Sequence, residues 1–339
     1  LGCVIDALVE GRRVDEALAL FQEWKGKVKC DTITYSTLIK GFAAVKDADR
    51  ALALFGDMKA VGIPLNHVVY TSVIAACARS GHIKRAEAVL ADMEAAGIPA
   101  NAITFSVLIR GHCVCGDLEA ALEVFHRMLD LGLPADCIIF NTLLDGCVQC
   151  SNWQLADTLL EDMKKAGIEQ SNFTISIIVK MWSKRGKLDN AVQTVYDALK
   201  LPQTVPERVG RRFQGPNVDT QVASSLIGAC IHNGDPARAM AIFKDMKTWA
   251  NFDGPDANTY GALICGLAKH GCTREAVGVA EEACETLPFK YDQQRLHASV
   301  VRQLYRALAK VGLLDEVGVP LSVKLRTAGM PYDERWDQA

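Results

Sequence analysis

Residues 32–66 read TITYSTLIKGFAAVKDADRALALFGDMKAVGIPLN, and residues 67–101 read HVVYTSVIAACARSGHIKRAEAVLADMEAAGIPAN. The two stretches align without a gap, and the next two blocks of the same length, 102–136 and 137–171, align with them. Consecutive blocks of 35 residues that share one pattern indicate a repeat protein, in which every block forms the same small structural unit.

Each block predicts two helices. In the first quoted block, apolar residues at helical spacing run from Tyr35 to Phe42 and again from Ala51 to Met58. A polar or glycine-bearing break separates the two runs, and a Gly-x-Pro stop ends the block. The alanine that opens the second run recurs along the chain as Ala17, Ala51, Ala86, Ala121, Ala156, Ala191, Ala239 and Ala276.

Small residues recur in the first helix as well, at Gly41, Ala76, Gly111 and Gly146, and they let neighbouring helices approach closely. One helix pair cannot bury its apolar face alone, whereas stacked pairs bury it against each other. The sequence therefore predicts an all-α fold, a right-handed α-solenoid of about nine stacked helix-turn-helix repeats with a concave groove.

The predicted solenoid is a single domain over residues 1–339, without a linker between domains. The later repeats drift in length, and residues 201–216, rich in Pro and Gly, form a predicted inserted loop. The last unit has a clear first helix and a degenerate second half with Pro320, which suits an end cap. The predicted units are 1–31, 32–66, 67–101, 102–136, 137–171, 172–219, 220–256, 257–297 and 298–339.

Composition and charge narrow the class of protein. The 339 residues include 37 Lys and Arg and 40 Asp and Glu, a net charge of −3, so bulk charge does not argue for nucleic-acid binding. Apolar runs stay below the roughly 18 residues of a membrane-spanning helix, and we expect no membrane partner. The 12 cysteines lie in apolar helical stretches, which favours buried, reduced thiols. Leu1 opens the chain inside a predicted helix, so we expect a fragment whose targeting segment would lie upstream.

Motifs of catalytic chemistry are missing from the sequence. There is no G-x-x-x-x-G-K-[ST] run, no H-E-x-x-H and no zinc-deaminase signature. Cys147 and Cys150 form a C-x-x-C, and another cysteine, Cys113, lies in the preceding repeat. A zinc or redox site is one interpretation, but these positions match those of Cys77 and Cys230, so helix packing is favoured. We expect no enzymatic activity, no metal and no cofactor.

The Tyr/Phe-x-x-Leu-Ile opening, the Asp-x-Ala-x-x-Leu-Phe-x-x-Met run and the Gly-Ile-Pro-x close resemble the pentatricopeptide repeat, and the unbroken 35-residue period resembles its P-type subfamily. The resemblance covers almost the whole chain. Proteins of this family bind single-stranded RNA in plant and algal organelles, one nucleotide per repeat. The resemblance therefore implies sequence-specific RNA binding in transcript stabilisation, processing or translation, in the chloroplast or alternatively the mitochondrion.

In this family, base identity is read by the residue after the aromatic of the first helix together with the last residue of the repeat. This chain has short polar residues there, and such side chains reach a Watson–Crick edge. Helix capping is the alternative role of the closing residues, but it does not account for those within the first helix. The implied pairs are Ser36 with Asn66, Thr71 with Asn101, Ser106 with Asp136, Asn141 with Ser171, Ser176 with Asp219, and Ser224 with Asp256.

Applied from N to C terminus and 5′ to 3′, the family's code assigns A to Ser-Asn and Thr-Asn, G to Ser-Asp, and C to Asn-Ser. The six pairs together predict the core site AAGCGG. The first and eighth units, with Gly2 and Asp31 and with Gly261 and His297, fit no familiar pair and are left undecoded.

Another recurring position lies two residues before the aromatic. In the family, the equivalent residues clamp bases between neighbouring repeats. A core contact at the start of the helix is the alternative, and the residue types suit both. The residues at this position are Ile33, Val68, Ile103, Ile138 and Phe173.

Basic residues near the ends of the first helices would suit RNA phosphates, although scattered surface charge is the alternative. Arg208, Arg211 and Arg212 in the predicted inserted loop could also reach RNA. A different class of function, a helical-repeat scaffold that binds protein partners in the same groove, stays open because the net charge is near neutral. We expect a monomer. The basic residues at the helix ends are Arg79, Lys184, His232, Lys269 and Lys310.

Overall fold

The computed structural model describes residues 1–28, 31–200, 218–249, 254–287 and 295–333. These ranges contain eighteen α-helices and no β-strand, and consecutive helices pack as pairs. The predicted all-α repeat solenoid is confirmed. Within the same ranges, no helix is both long and apolar enough to cross a bilayer. The predicted loop 201–216 and its arginines lie outside the described residues.

The helices fall into two compact units, and the first unit spans Leu1–Glu169. In this unit each first helix packs on its own second helix and, except for the last, on the first helix of the next pair. The prediction of one domain over residues 1–339 stays a prediction. The helices of the first unit are α1 (Gly2–Glu10), α2 (Val14–Trp24), α3 (Thr32–Ala44), α4 (Ala48–Val61), α5 (His67–Arg79), α6 (Ile83–Ala95), α7 (Ala102–Cys115), α8 (Leu118–Asp130), α9 (Cys137–Gln149) and α10 (Trp153–Lys165).

The second unit spans Gln170–Ala339 and repeats the same pairing. Its last pair departs from the pattern, because a π-helical turn over Leu314–Gly318 precedes the final helix, and Pro320 lies in that helix's first turn, where proline is tolerated. The helices of the second unit are α11 (Asn172–Lys184), α12 (Leu188–Lys200), α13 (Thr220–His232), α14 (Pro236–Met246), α15 (Ala257–Lys269), α16 (Thr273–Thr286), α17 (Ala298–Val311) and α18 (Val319–Thr327).

The recurrent alanines lie at the centre of the hydrophobic core in every repeat where they occur. All eight members of the predicted series, from Ala17 to Ala276, have no exposed surface. Aromatic rings join neighbouring pairs: Tyr35 packs edge-on against Phe21 with centroids 4.9 Å apart, and Tyr70 packs likewise against Phe55 at 5.2 Å. The same contact recurs at Phe125 with Phe140 and at Phe243 with Tyr260, so an aromatic at the start of the first helix packs four repeats against their predecessors.

Candidate nucleic-acid interface

The closing residue of every decoded repeat caps the first helix of the next repeat. Each has an extended backbone, and its side-chain oxygen accepts a hydrogen bond from the backbone N–H three residues ahead, which satisfies one of the free donors of the helix terminus. The predicted capping role is confirmed for Asn66, Asn101, Asp136, Ser171, Asp219 and Asp256.

Capping decides which atom of the closing residue stays available. Oδ1 of Asn101 accepts from the backbone N–H of Thr104 at 3.0 Å, so the amide nitrogen of Asn101 is the group left over. Oδ1 of Asp136 accepts from the N–H of Ile139 at 2.9 Å, which leaves the second carboxylate oxygen. An asparagine thus keeps a donor, and an aspartate keeps an acceptor.

The partner residues within the first helices differ in exposure. Thr71, Ser106, Asn141 and Ser224 are half-buried and keep part of their surface open to solvent. Ser36 is only 9% exposed, and its hydroxyl donates to the carbonyl of Ile33 at 2.9 Å. Four of the six residues are therefore partly open to solvent, whereas Ser36 and Ser176 are nearly covered, and the base-reading role of all six stays a prediction.

Two repeats connect their predicted base-reading residues through a buried threonine. The hydroxyls of Thr71 and Thr104 are 2.9 Å apart, and the Thr104 hydroxyl donates to Oδ1 of Asn101 at 3.0 Å. The same arrangement recurs in the second unit, where Thr259 bonds the hydroxyl of Ser224 and donates to Oδ1 of Asp256 at 2.6 Å. Thr104 and Thr259 are themselves fully buried.

In the repeat 172–219, the predicted base-reading residues are less accessible than those of the two repeats above. Ser176 is 3% exposed, and its buried hydroxyl has no hydrogen-bond partner among the described residues. Oδ2 of Asp219 accepts a short hydrogen bond from the side chain of Asn172, so both carboxylate oxygens are engaged. The prediction that this pair reads a base stays a prediction. In the structure, the Ser176 hydroxyl is covered and both carboxylate oxygens of Asp219 already accept hydrogen bonds.

The pair of Asn141 and Ser171 is divided between the two compact units. The amide nitrogen of Asn141 lies 3.4 Å from Sγ of Cys137, one helical turn earlier. Ser171 forms a capping box with Thr174, in which each side chain bonds the other residue's backbone N–H. The assignment of C to this pair stays a prediction.

The residues of the predicted clamp point into solvent at four of five positions. Ile33 is 69% exposed, Ile103 and Ile138 are each 65% exposed, and Phe173 is 64% exposed. Val68 is half-buried. The alternative interpretation, a core contact at the start of the helix, is wrong for the four exposed residues. Large apolar side chains exposed at a fixed interval indicate a binding surface.

A cleft of about 310 Å³ between α3, α5 and α7 brings the predicted groups together. Its walls include Thr71 and Asn101, the predicted base-reading pair, and Val68 and Ile103, predicted clamp residues of two successive repeats. Lys40 and Arg79 contribute positive charge to the same cleft. The structure thus places polar, apolar and cationic groups around one opening of the first unit.

The predicted basic residues at the ends of the first helices, Arg79, Lys184, His232, Lys269 and Lys310, are all exposed. Lys269 and Lys310 line a second cleft with Arg306 in the second unit. Lys40 of the first cleft escaped the sequence analysis, because it lies one turn from the end of its helix and only the structure places it beside Arg79.

The predicted packing role is confirmed for Cys77, Cys113, Cys147 and Cys230, but it is wrong for Cys150, which follows the last residue of α9 and is exposed, as are Cys3 and Cys115. Cys77, Cys147 and Cys230 have no exposed surface, and Cys113 is 4% exposed. Burial raises the pKa of Cys113 and of Cys147 to about 12, so both stay protonated thiols at neutral pH. Within the described ranges, no group of three or more His, Cys, Asp or Glu residues is placed to hold a metal ion.

The threonine at the third position of the repeat was missed by the sequence analysis. It recurs at Thr34, Thr104, Thr174 and Thr259, and all four side chains are buried. Its signal in the sequence is a β-branched hydroxyl residue directly before the aromatic or apolar residue of the first helix. The equivalent residues Val69, Ile139 and Val222 lack the hydroxyl.

Family profiles match most of the chain. The PPR repeat family profile matches residues 31–79, 65–114 and 135–184, and the PPR repeat profile matches residues 2–27, 103–133, 222–249 and 258–284. The chain belongs to the pentatricopeptide repeat family. Among curated proteins, no sequence matches this chain.

Solved structures share the fold. The pentatricopeptide repeat protein PPR10 from maize is similar over 99% of this chain and 50% of its own length, with a TM-score of 0.60 and 20% identity. PPR10 in complex with an 18-nt psaJ RNA element is similar over 93% of this chain and 48% of its own, with a TM-score of 0.50 and 16% identity. The chain therefore spans about half the length of PPR10.

Proposed function

We propose that this chain binds single-stranded RNA in a sequence-specific manner, one base per repeat, at a core site AAGCGG read 5′ to 3′. The observation that carries the proposal is the cleft of the repeat 67–101, where Thr71 and Asn101 line the same opening as the apolar side chains of Val68 and Ile103. Single-stranded RNA exposes base edges and base faces together, and both kinds of wall are present here.

The local positive charge of the cleft favours binding of RNA phosphates, although the net charge of the protein is negative. Lys40 and Arg79 line the cleft, and exposed basic residues recur near the ends of the first helices. Local positive charge releases counterions from the RNA backbone even in a protein of net charge −3. The RNA complex of PPR10, a member with the same fold, supports the class of ligand.

The proposed action is passive. A segment of transcript held along several repeats blocks exonucleases or stays unstructured for processing or translation, and no catalytic step is assigned to the chain. By family resemblance, the setting is the chloroplast, with the mitochondrion as the alternative. The repeats 67–101, 102–136 and 220–256 carry most of the proposed discrimination, because Thr71, Ser106 and Ser224 are more exposed than Ser36 and Ser176.

The test is binding of an AAGCGG-containing RNA and of a scrambled RNA of the same composition, each at low and high salt. We expect tighter binding of AAGCGG and weaker binding of both as salt rises. The protein-binding scaffold gives the opposite outcome: equal, negligible binding of both RNAs with no dependence on salt. That result would refute RNA binding for this chain.

A further inference from the structure

We infer that Thr104 and Thr259, which lie behind the base-reading residues, set the hydrogen-bonding polarity that their repeats present to RNA. The inference rests on the proposed function and adds a residue to its site. Neither threonine reaches the surface, since both are fully buried, so they act as positioning residues through their neighbours.

A hydroxyl has one proton to donate, and the capping contact uses it. Oδ1 of Asn101 is an acceptor only, so the Thr104 hydroxyl donates its proton to Asn101. Thr104 then faces the Thr71 hydroxyl, 2.9 Å away, as an acceptor, and the proton in that contact belongs to Thr71. The Thr71 proton is thereby directed inward, and the oxygen of Thr71 faces the cleft with its remaining lone pair.

The repeat 67–101 consequently presents one acceptor and one donor. The acceptor is Oγ1 of Thr71, and the donor is the amide nitrogen of Asn101, whose Oδ1 is held by the helix terminus. The Watson–Crick edge of adenine offers the complementary pair, an N6 donor and an N1 acceptor. The polarity fixed by Thr104 therefore matches the base assigned to this repeat.

Thr259 makes the same pair of contacts behind the repeat 220–256, but the groups that this repeat presents to a base are different. Thr259 donates to Oδ1 of Asp256, so the Ser224 hydroxyl donates to Thr259 and turns its lone pair outward. The other oxygen of Asp256 is also an acceptor, and the repeat 220–256 presents two acceptors. Guanine carries two adjacent donors, N1–H and N2–H, on its Watson–Crick edge, which is the base assigned to this repeat.

The experiment is Thr104→Val, measured as binding of RNAs that carry A, C, G or U at the second base of the core site. Valine lacks the hydroxyl oxygen that accepts the Thr71 proton, so in this variant the Thr71 hydroxyl can turn and donate toward the base. We expect the preference for A to fall by about two- to tenfold, the worth of one hydrogen bond, while Thr104→Ser keeps it.

The matched control is Thr34→Val. Thr34 donates to its capping residue Asp31 at 2.7 Å as Thr104 does to Asn101, but the preceding repeat has Gly2 where a base-reading hydroxyl would stand. We expect Thr34→Val to lower stability like Thr104→Val and to leave the preference at the second base unchanged.

Two outcomes decide the matter. If Thr104→Val weakens binding of all four RNAs equally and keeps the preference for A, the inference is overturned and the proposed function stands. If the unmodified protein shows no preference at the second base, the proposed function is overturned and this inference with it.

Discussion

Gly111 of α7 lies directly on Ala78 of α5, the corresponding helix of the preceding repeat. A methyl group added at Gly111 would lie 2.9 Å from Cβ of Ala78 and 2.7 Å from Cδ1 of Ile83. Both separations are well inside van der Waals contact, and Ala78 has no flexible side chain with which to move away. The absence of a side chain at Gly111 therefore sets how closely two repeats stack.

We predict that Gly111→Ala destabilises the protein by about 1–3 kcal/mol, although alanine is the better helix former, because the methyl group overpacks the contact. Gly56→Ala in α4 is the matched control, since a methyl group added at Gly56 would have no neighbouring atom within 4 Å. This substitution should stabilise the protein by about 0.5–1 kcal/mol. Urea unfolding monitored by circular dichroism measures both. Equal effects of the two substitutions would contradict the packing argument.

We predict that Asn101→Asp changes the preferred second base from A to G. The substitution keeps the helix cap, since both residues cap well, and replaces the outward amide donor by an acceptor. The expected change in discrimination is about 1–3 kcal/mol, by analogy with base-edge contacts in DNA. Competition binding with RNAs varied only at that base measures it. A uniform loss of affinity for A and G would show that the new charge acts on phosphates and that Asn101 does not read the base.

We predict that Ile103→Ser weakens RNA binding at every sequence by about 1–2 kcal/mol, because an apolar side chain that would be covered by a base is lost. Stability should change by less than about 0.5 kcal/mol, since Ile103 is 65% exposed. Leu131→Ser, at a residue 59% exposed and outside the cleft, should change neither quantity. The clamp would be disproved if both variants bound RNA like the unmodified protein.

We predict that Asn172→Ala increases the preference for G at the fifth base. The Asn172 side chain occupies Oδ2 of Asp219, and its removal frees that oxygen while Oδ1 continues to cap α13 through Val222. The expected gain is about two- to tenfold in the ratio of G to A binding. Preference at the second base serves as the internal control. No change at the fifth base would mean that the buried Ser176 keeps this repeat silent.

Periodicity alone predicted the stacking of the repeats. The alanine series is fully buried because its spacing places it on the same helical face in every unit, and the close approach at Gly111 follows from its place in that pattern. Burial of the alanines and the close approach at Gly111 depend only on one repeat and its immediate neighbour. Both could therefore be predicted from the repeated pattern of a single sequence.

The exposure of particular side chains could not be predicted in the same way. Ile103 is as suited to a core as to a surface, and only the direction of its helix decides between them. Ser36 and Ser176 occupy the same position as Ser224 but are more deeply covered. The hydroxyl network through Thr104 depends on interatomic distances between different repeats, which residue types do not reveal.

The capping role of the closing residues limits how such a protein changes its target. In the proposed base code, the closing residue of a repeat contacts a base and also caps the first helix of the next repeat, so only short polar residues suit that position. A lysine or glutamate introduced there would fray the following helix as well as alter recognition. If the proposed code holds, a change of RNA target would use exchanges such as Asn for Asp, which alter the base contact and preserve the helix cap.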